Sequence, residues 1–109
     1  MAVARLSIEE LAKIVETRKG ADPDTSYTAK LLHRGVGQCA KKLGEEAAET
    51  VIAGVAQDDD ALRAESADLL YHLLVLLESR DVPIVDVLAV LQQRMGVSGL
   101  DEKASRTHD

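Results

Sequence analysis

A chain of 109 residues suits one packed domain, and nothing in it suggests a second. Its apolar residues are mainly Leu, Val and Ala, with two tyrosines and neither Phe nor Trp, which favours helix packing and disfavours strand-rich folds. The net charge of −6, with basic residues scattered rather than gathered in a stripe, argues against nucleic-acid binding. The opening MAVARLSIEELAKIVE has no apolar run free of charge, so neither a secretory signal nor a membrane span is expected, and the expected location is the cytoplasm. Cys39 is the single cysteine, which excludes an internal disulfide or a thiolate zinc cluster and marks a small core residue.

Ser7-Ile8-Glu9-Glu10 is a capping box ahead of Leu11, Ile14 and Val15, and predicts a first helix that runs to about Lys19 before Gly20 ends it. Gly20 to Thr28 collects Gly, Pro, Asp, Ser and Thr and reads as a loop. From Lys30 to Val55 the apolar residues keep helical spacing, with an irregularity at Gly35-Val36-Gly37, so a long second helix is predicted from near Gln38. Gln57-Asp58-Asp59-Asp60 supplies a turn and an N-cap for a third helix carrying Leu62, Leu69, Leu70, Leu73, Leu74 and Leu77. Asp81-Val82-Pro83 breaks that pattern, and Ile84, Val87, Leu88, Leu91 and Met95 restart it as a fourth helix. The expected architecture is all-α, an antiparallel bundle of about four helices over residues 1–95, with a loosely ordered tail over 96–109. So short a chain buries only about two thirds of its unfolded surface, and a homodimer is expected to complete the bundle.

Glu46-x-x-Glu49 and Glu65-x-x-Asp68 each place two carboxylates on one helix face. In an antiparallel hairpin, facing positions share a midpoint. Glu46 with Asp68 and Glu49 with Glu65 both give residue 57, inside the turn assigned independently from composition. All four acids are therefore expected to converge across the hairpin. Grouped carboxylates out of water repel unless a proton or cation lies among them, and an all-oxygen donor set suits Mg²⁺ or Mn²⁺, ions that gather phosphates. The same midpoint sets Lys42 opposite His72, one turn beyond the acids, where both could contact phosphate oxygens.

The bland alternative is a solvated face of Glu45, Glu46 and Glu49 with Lys41 and Lys42, and a hydrogen-bonded His72 at the edge of the core. A di-iron bundle would need Glu-x-x-His pairs, and His72 instead follows Asp68 by four residues. Neither a nucleophile elbow nor a Walker sequence occurs.

The run KKLGEEAAETVIA followed by ESADLLYHLLVLL resembles the phosphoribosyl-ATP pyrophosphohydrolases, the histidine-biosynthesis branch of the MazG-like all-α nucleotide pyrophosphohydrolases. The upstream DTSYTAKLLHRGVGQCAKK and the final DEKASR are similar to that branch as well. The resemblance implies hydrolysis of phosphoribosyl-ATP between its α and β phosphates, Mg²⁺ at the two acidic motifs and a dimer; many relatives carry a fused cyclohydrolase, and a chain of this length is expected to be the stand-alone form. Under it, Glu46, Glu49, Glu65 and Asp68 hold the metal and Glu49 is the expected base toward water. Lys30, Lys41 and Lys42 could clamp phosphates, and Ser26, Tyr27 and Thr28 could close the loop over the substrate. Two rivals are a housecleaning pyrophosphohydrolase of free nucleoside triphosphates, which would share the metal site, and a non-catalytic helical dimerisation module.

Overall fold

The computed structural model describes residues 5–96, which form five α-helices and no strand. Helix α1 spans Ile8–Thr17 and begins at the predicted capping box. Ser7 Oγ accepts from the Glu10 amide at 3.0 Å, and the Glu10 carboxylate accepts from the Ser7 amide at 3.1 Å. It stops two residues short of the expected end, with Arg18 as its C-cap.

The loop ends earlier than its composition suggests. Ser26 is the N-cap of α2 (Tyr27–Arg34), its hydroxyl accepting from the Ala29 amide at 3.1 Å, so Tyr27 and Thr28 lie in a helical first turn. The predicted irregularity at Gly35 is a full break: this residue closes α2 and opens α3 (Val36–Ala56) with φ 97° and ψ 178°. Only glycine reaches that conformation at low cost, and it separates α2 from the long helix predicted to begin near Gln38; α2, not set apart in the sequence, is the fifth helix where about four were expected.

Gln57 and Asp58 alone connect α3 to α4 (Asp59–Ser79), and Asp58 caps α4 by accepting from the Ala61 amide at 2.9 Å. These two long helices form the antiparallel hairpin and make the most extensive packing in the molecule. Small residues allow their approach near the turn: Ala53 is fully buried, and a Cβ placed on Gly54 would meet Leu62 at 3.7 Å. Helix α5 (Ile84–Gly96) packs on α1 and has no buried residue. The expected tail of residues 97–109 lies outside the described residues.

The core gathers at the end of the hairpin away from the turn. Val15 from α1, Leu31 from α2, Cys39 from α3, and Leu74 and Val75 from α4 are buried together. Cys39 is the small core residue its isolation suggested; its thiol donates to the Leu31 carbonyl at 3.3 Å, and burial pushes its pKa up. The acids therefore occupy the stretch of hairpin between this core and the turn.

Candidate metal and phosphate site

Glu46, Glu49 and Glu65 each bring a carboxylate oxygen within 4.8 Å of the others, two from α3 and one from α4. The hairpin register does this, as the shared midpoint required. Positions three apart on a helix diverge by roughly 60° about its axis, so one acid of each pair turns inward and the other outward. Glu46 is accordingly buried (8% exposed) and Glu65 half-buried, whereas Glu49 and Asp68 are exposed. Asp68 does not join the grouping of three, although its negative charge acts on both Glu46 and Glu65.

The electrostatics are those of a negative cluster short of positive charge. Burial raises the Glu46 pKa above the ordinary carboxylate range, and the charges of Glu49 and Asp68 add to the rise, while His72 and Lys42 pull the other way. Glu65 is raised first by the close approach of the Glu49 carboxyl, then by burial and by the charges of Glu49, Glu46 and Asp68. One oxygen of Glu46 and one of Glu65 are buried without any hydrogen-bond partner. Buried carboxylate oxygens normally have a partner, so two orphans in one oxygen-only cluster fit a hard divalent cation. Beside them an open cleft of about 280 Å³ is lined by Glu49, Glu65, Ile52 and Gln57.

His72 is buried (6% exposed), and its Nδ1 lies 2.8 Å from the Asp68 carbonyl oxygen. That oxygen can only accept, so Nδ1 carries a proton and Nε2 is left to face Tyr27. The Tyr27 hydroxyl stands 3.5 Å from Nε2. Tyr71 packs edge-on against His72 with ring centroids 4.9 Å apart, and its hydroxyl hydrogen-bonds Thr28. Ser26, Tyr27 and Thr28 are thus a cap and a helical turn seated against α4 rather than a loop poised to close. Tyr27 keeps half of its surface open (52% exposed). Lys42 pulls the Glu46 pKa down, whereas Lys30 and Lys41 are exposed and are not among the charges that shift Glu46 or Glu65.

Three residues beside the acids carry no signal in the sequence. Ile52 and Gln57 enter only because the cleft reaches past the acids toward the turn. Thr50 donates its hydroxyl proton toward the Glu46 carbonyl at 2.8 Å and the Glu65 carbonyl at 3.1 Å. A helical threonine commonly bonds the carbonyl four residues back, but nothing in a spacing pattern reveals a second acceptor across the hairpin.

A family model described as phosphoribosyl-ATP pyrophosphohydrolase matches residues 8–95, which includes all five helices save the last residue of α5. A protein of Cereibacter sphaeroides (strain KD131) named phosphoribosyl-ATP pyrophosphatase is 57% identical over 91% of this chain and 96% of its own length. Proteins of the same name from Agrobacterium fabrum (54% identical over 95% of this chain and 97% of theirs) and Jannaschia sp. (54% over 91% and 97%) are similar to the same extent. The matched region carries the hairpin, both acidic pairs and the Tyr27–His72 contact, and the chain belongs to the phosphoribosyl-ATP pyrophosphohydrolase family.

Proposed function

We propose that this chain hydrolyses phosphoribosyl-ATP to phosphoribosyl-AMP and pyrophosphate, the second step of histidine biosynthesis, with Mg²⁺ held by Glu46, Glu49, Glu65 and Asp68 and with Mn²⁺ as an alternative ion. Family membership supports the substrate. The observation that carries the metal is the pair of unpartnered buried oxygens on Glu46 and Glu65 inside a cluster of three carboxylates.

When bound, a divalent ion supplies positive charge to the phosphate chain and makes a nearby water more acidic. The remaining work belongs to the side chains. Glu46 and Glu65, turned inward, serve as ligands, and Asp68 closes the set from the rim. Glu49 is exposed and lines the open cleft, so it is the carboxylate placed to orient the attacking water and take its proton. Lys42 and His72 offset the negative charge from the core side, and Lys30 and Lys41 meet phosphate oxygens from solvent. Tyr27 offers its open ring to the nucleotide, while Ser26 and Thr28 hold that turn of α2 in place.

A homodimer goes with this reading. Val51 (65% exposed), Ile52 (53%) and Val55 (84%) leave much of one stretch of α3 open, and α5 buries nothing within the chain. A cytoplasmic enzyme with a small-molecule substrate and no nucleic-acid or membrane partner is consistent with the acidic composition, and no described helix is long and apolar enough to cross a membrane.

The test is pyrophosphate release by the purified chain from phosphoribosyl-ATP and from deoxynucleoside triphosphates, each with Mg²⁺ and with EDTA. Mg²⁺-dependent release from phosphoribosyl-ATP, with far slower turnover of the others, is expected. Equal or faster turnover of deoxynucleoside triphosphates would overturn the substrate, and release unaffected by EDTA would overturn the metal.

A further inference from the structure

Three carboxylates drawn together push their two helices apart, so something must hold α3 and α4 at the separation the site needs. Near the turn that role falls to Ala53 and Gly54, and at the far end to the aliphatic core. At the level of the acids the packing is polar. At this level the Thr50 hydroxyl donates across to the Glu65 carbonyl at 3.1 Å, and among the described residues no ion pair joins α3 to α4.

We propose that Thr50 is a positioning residue for the metal ligands: its one hydroxyl proton, shared between the main-chain carbonyls of Glu46 and Glu65, sets the distance between the two inward carboxylates. The inference rests on the assignment of those acids to a divalent cation. Thr50 is not part of the cleft lining formed by Glu49, Ile52, Gln57 and Glu65. It bonds the backbone of the two residues whose carboxylate oxygens are buried and unpartnered, so any spreading of the hairpin there moves both ligands at once. Mg²⁺ demands near-ideal octahedral geometry at short distances, which makes its affinity sensitive to that spacing. Valine has the shape of threonine without the hydroxyl, and serine keeps the hydroxyl without the methyl. The pair separates hydrogen bonding from packing.

The experiment is calorimetric titration of Mn²⁺ and Mg²⁺ into the full chain and its Thr50→Val and Thr50→Ser variants, with folding checked by circular dichroism. Thr50→Val is expected to weaken ion binding about fivefold to tenfold, the scale of one hydrogen bond, and Thr50→Ser by less than about twofold. Should Thr50→Val fail to fold, Thr50→Ala removes the same hydroxyl with higher helix propensity and is read in its place. Binding by the hydroxyl-free variant within about twofold of the parent, or equal weakening by Thr50→Ser, would overturn the role of Thr50 while leaving the metal site standing. Absence of ion binding by the parent chain would overturn the metal site itself and this inference with it.

Discussion

Glu46 is the side chain on which the cluster most depends, because it is buried, repelled by two neighbouring acids and left with one unpartnered oxygen. Glu46→Gln is expected to lower pyrophosphate release by about a hundredfold or more by removing a ligand charge. The same change should raise the melting temperature in EDTA by roughly 4 °C, because the neutral amide ends the repulsion and can donate to the remaining carboxylates. Calorimetry and activity on one preparation check both; a variant that is active, or less stable than the parent in EDTA, contradicts the assignment. The raised pKa values of Glu46 and Glu65 mean that the metal-free folded chain binds protons more tightly than the unfolded chain. Their contribution to stability is then fully present below the ordinary glutamate value of about 4.3 and is lost as pH rises through the folded values. Mg²⁺ competes with those protons, so the rise in melting temperature on adding Mg²⁺ should be larger at pH 8 than at about pH 5.5. An equal or larger rise at the lower pH would count against it. The acids were legible in the sequence because helix spacing and a hairpin midpoint need only residue numbers. The outward position of Asp68 was not, since spacing alone does not say which acid of a pair turns inward. Nor were Thr50 and Gln57, whose contacts depend on rotamers and helix separation that leave no periodic trace.

Among the elements, the joint at Gly35 decides how α2 meets α3. Its φ of 97° with ψ of 178° is open to glycine and strained for every other residue, while a Cβ there would meet nothing within 4 Å. The cost of Gly35→Ala is therefore conformational rather than steric, about 1–3 kcal/mol. Urea unfolding should show a lower midpoint with an unchanged slope. A variant as stable as the parent would mean that the joint relaxes to ordinary helix. The glycines at 35 and 37 made an irregularity predictable and the long helix was placed from near Gln38, but a permissive residue does not announce whether the chain will bend or break, so the stretch before it was not recognised as a helix of its own. Helix starts were legible where a side chain marks them, as at Ser7 and Asp58. Ser26 marks a start too, yet it sits in a run of turn-forming residues that made the loop read two residues too long.

For the molecule as a whole, Val51, Ile52 and Val55 on α3 and Val85, Val90, Leu91 and Met95 on α5 stand exposed, aliphatic surface that a second copy would cover. Light scattering coupled to size exclusion should give twice the chain mass at micromolar concentration, and a single-chain mass would rule out the dimer. The all-α class was legible from composition and periodicity, whereas which apolar faces stay open was not, because amphipathic spacing shows that a face is apolar without naming its neighbour. The two-residue connection at Gln57–Asp58 bears on how such a chain acquires its shape. Every proposed ligand falls within residues 46–68, so the site assembles from one short stretch whose ends meet at little entropic expense. Glu46, Glu49 and Glu65 meet across this hairpin without any residue of α5. Like-charge repulsion thus acts within a local hairpin, and a divalent cation held by these acids would favour closing the hairpin as well as serving the reaction.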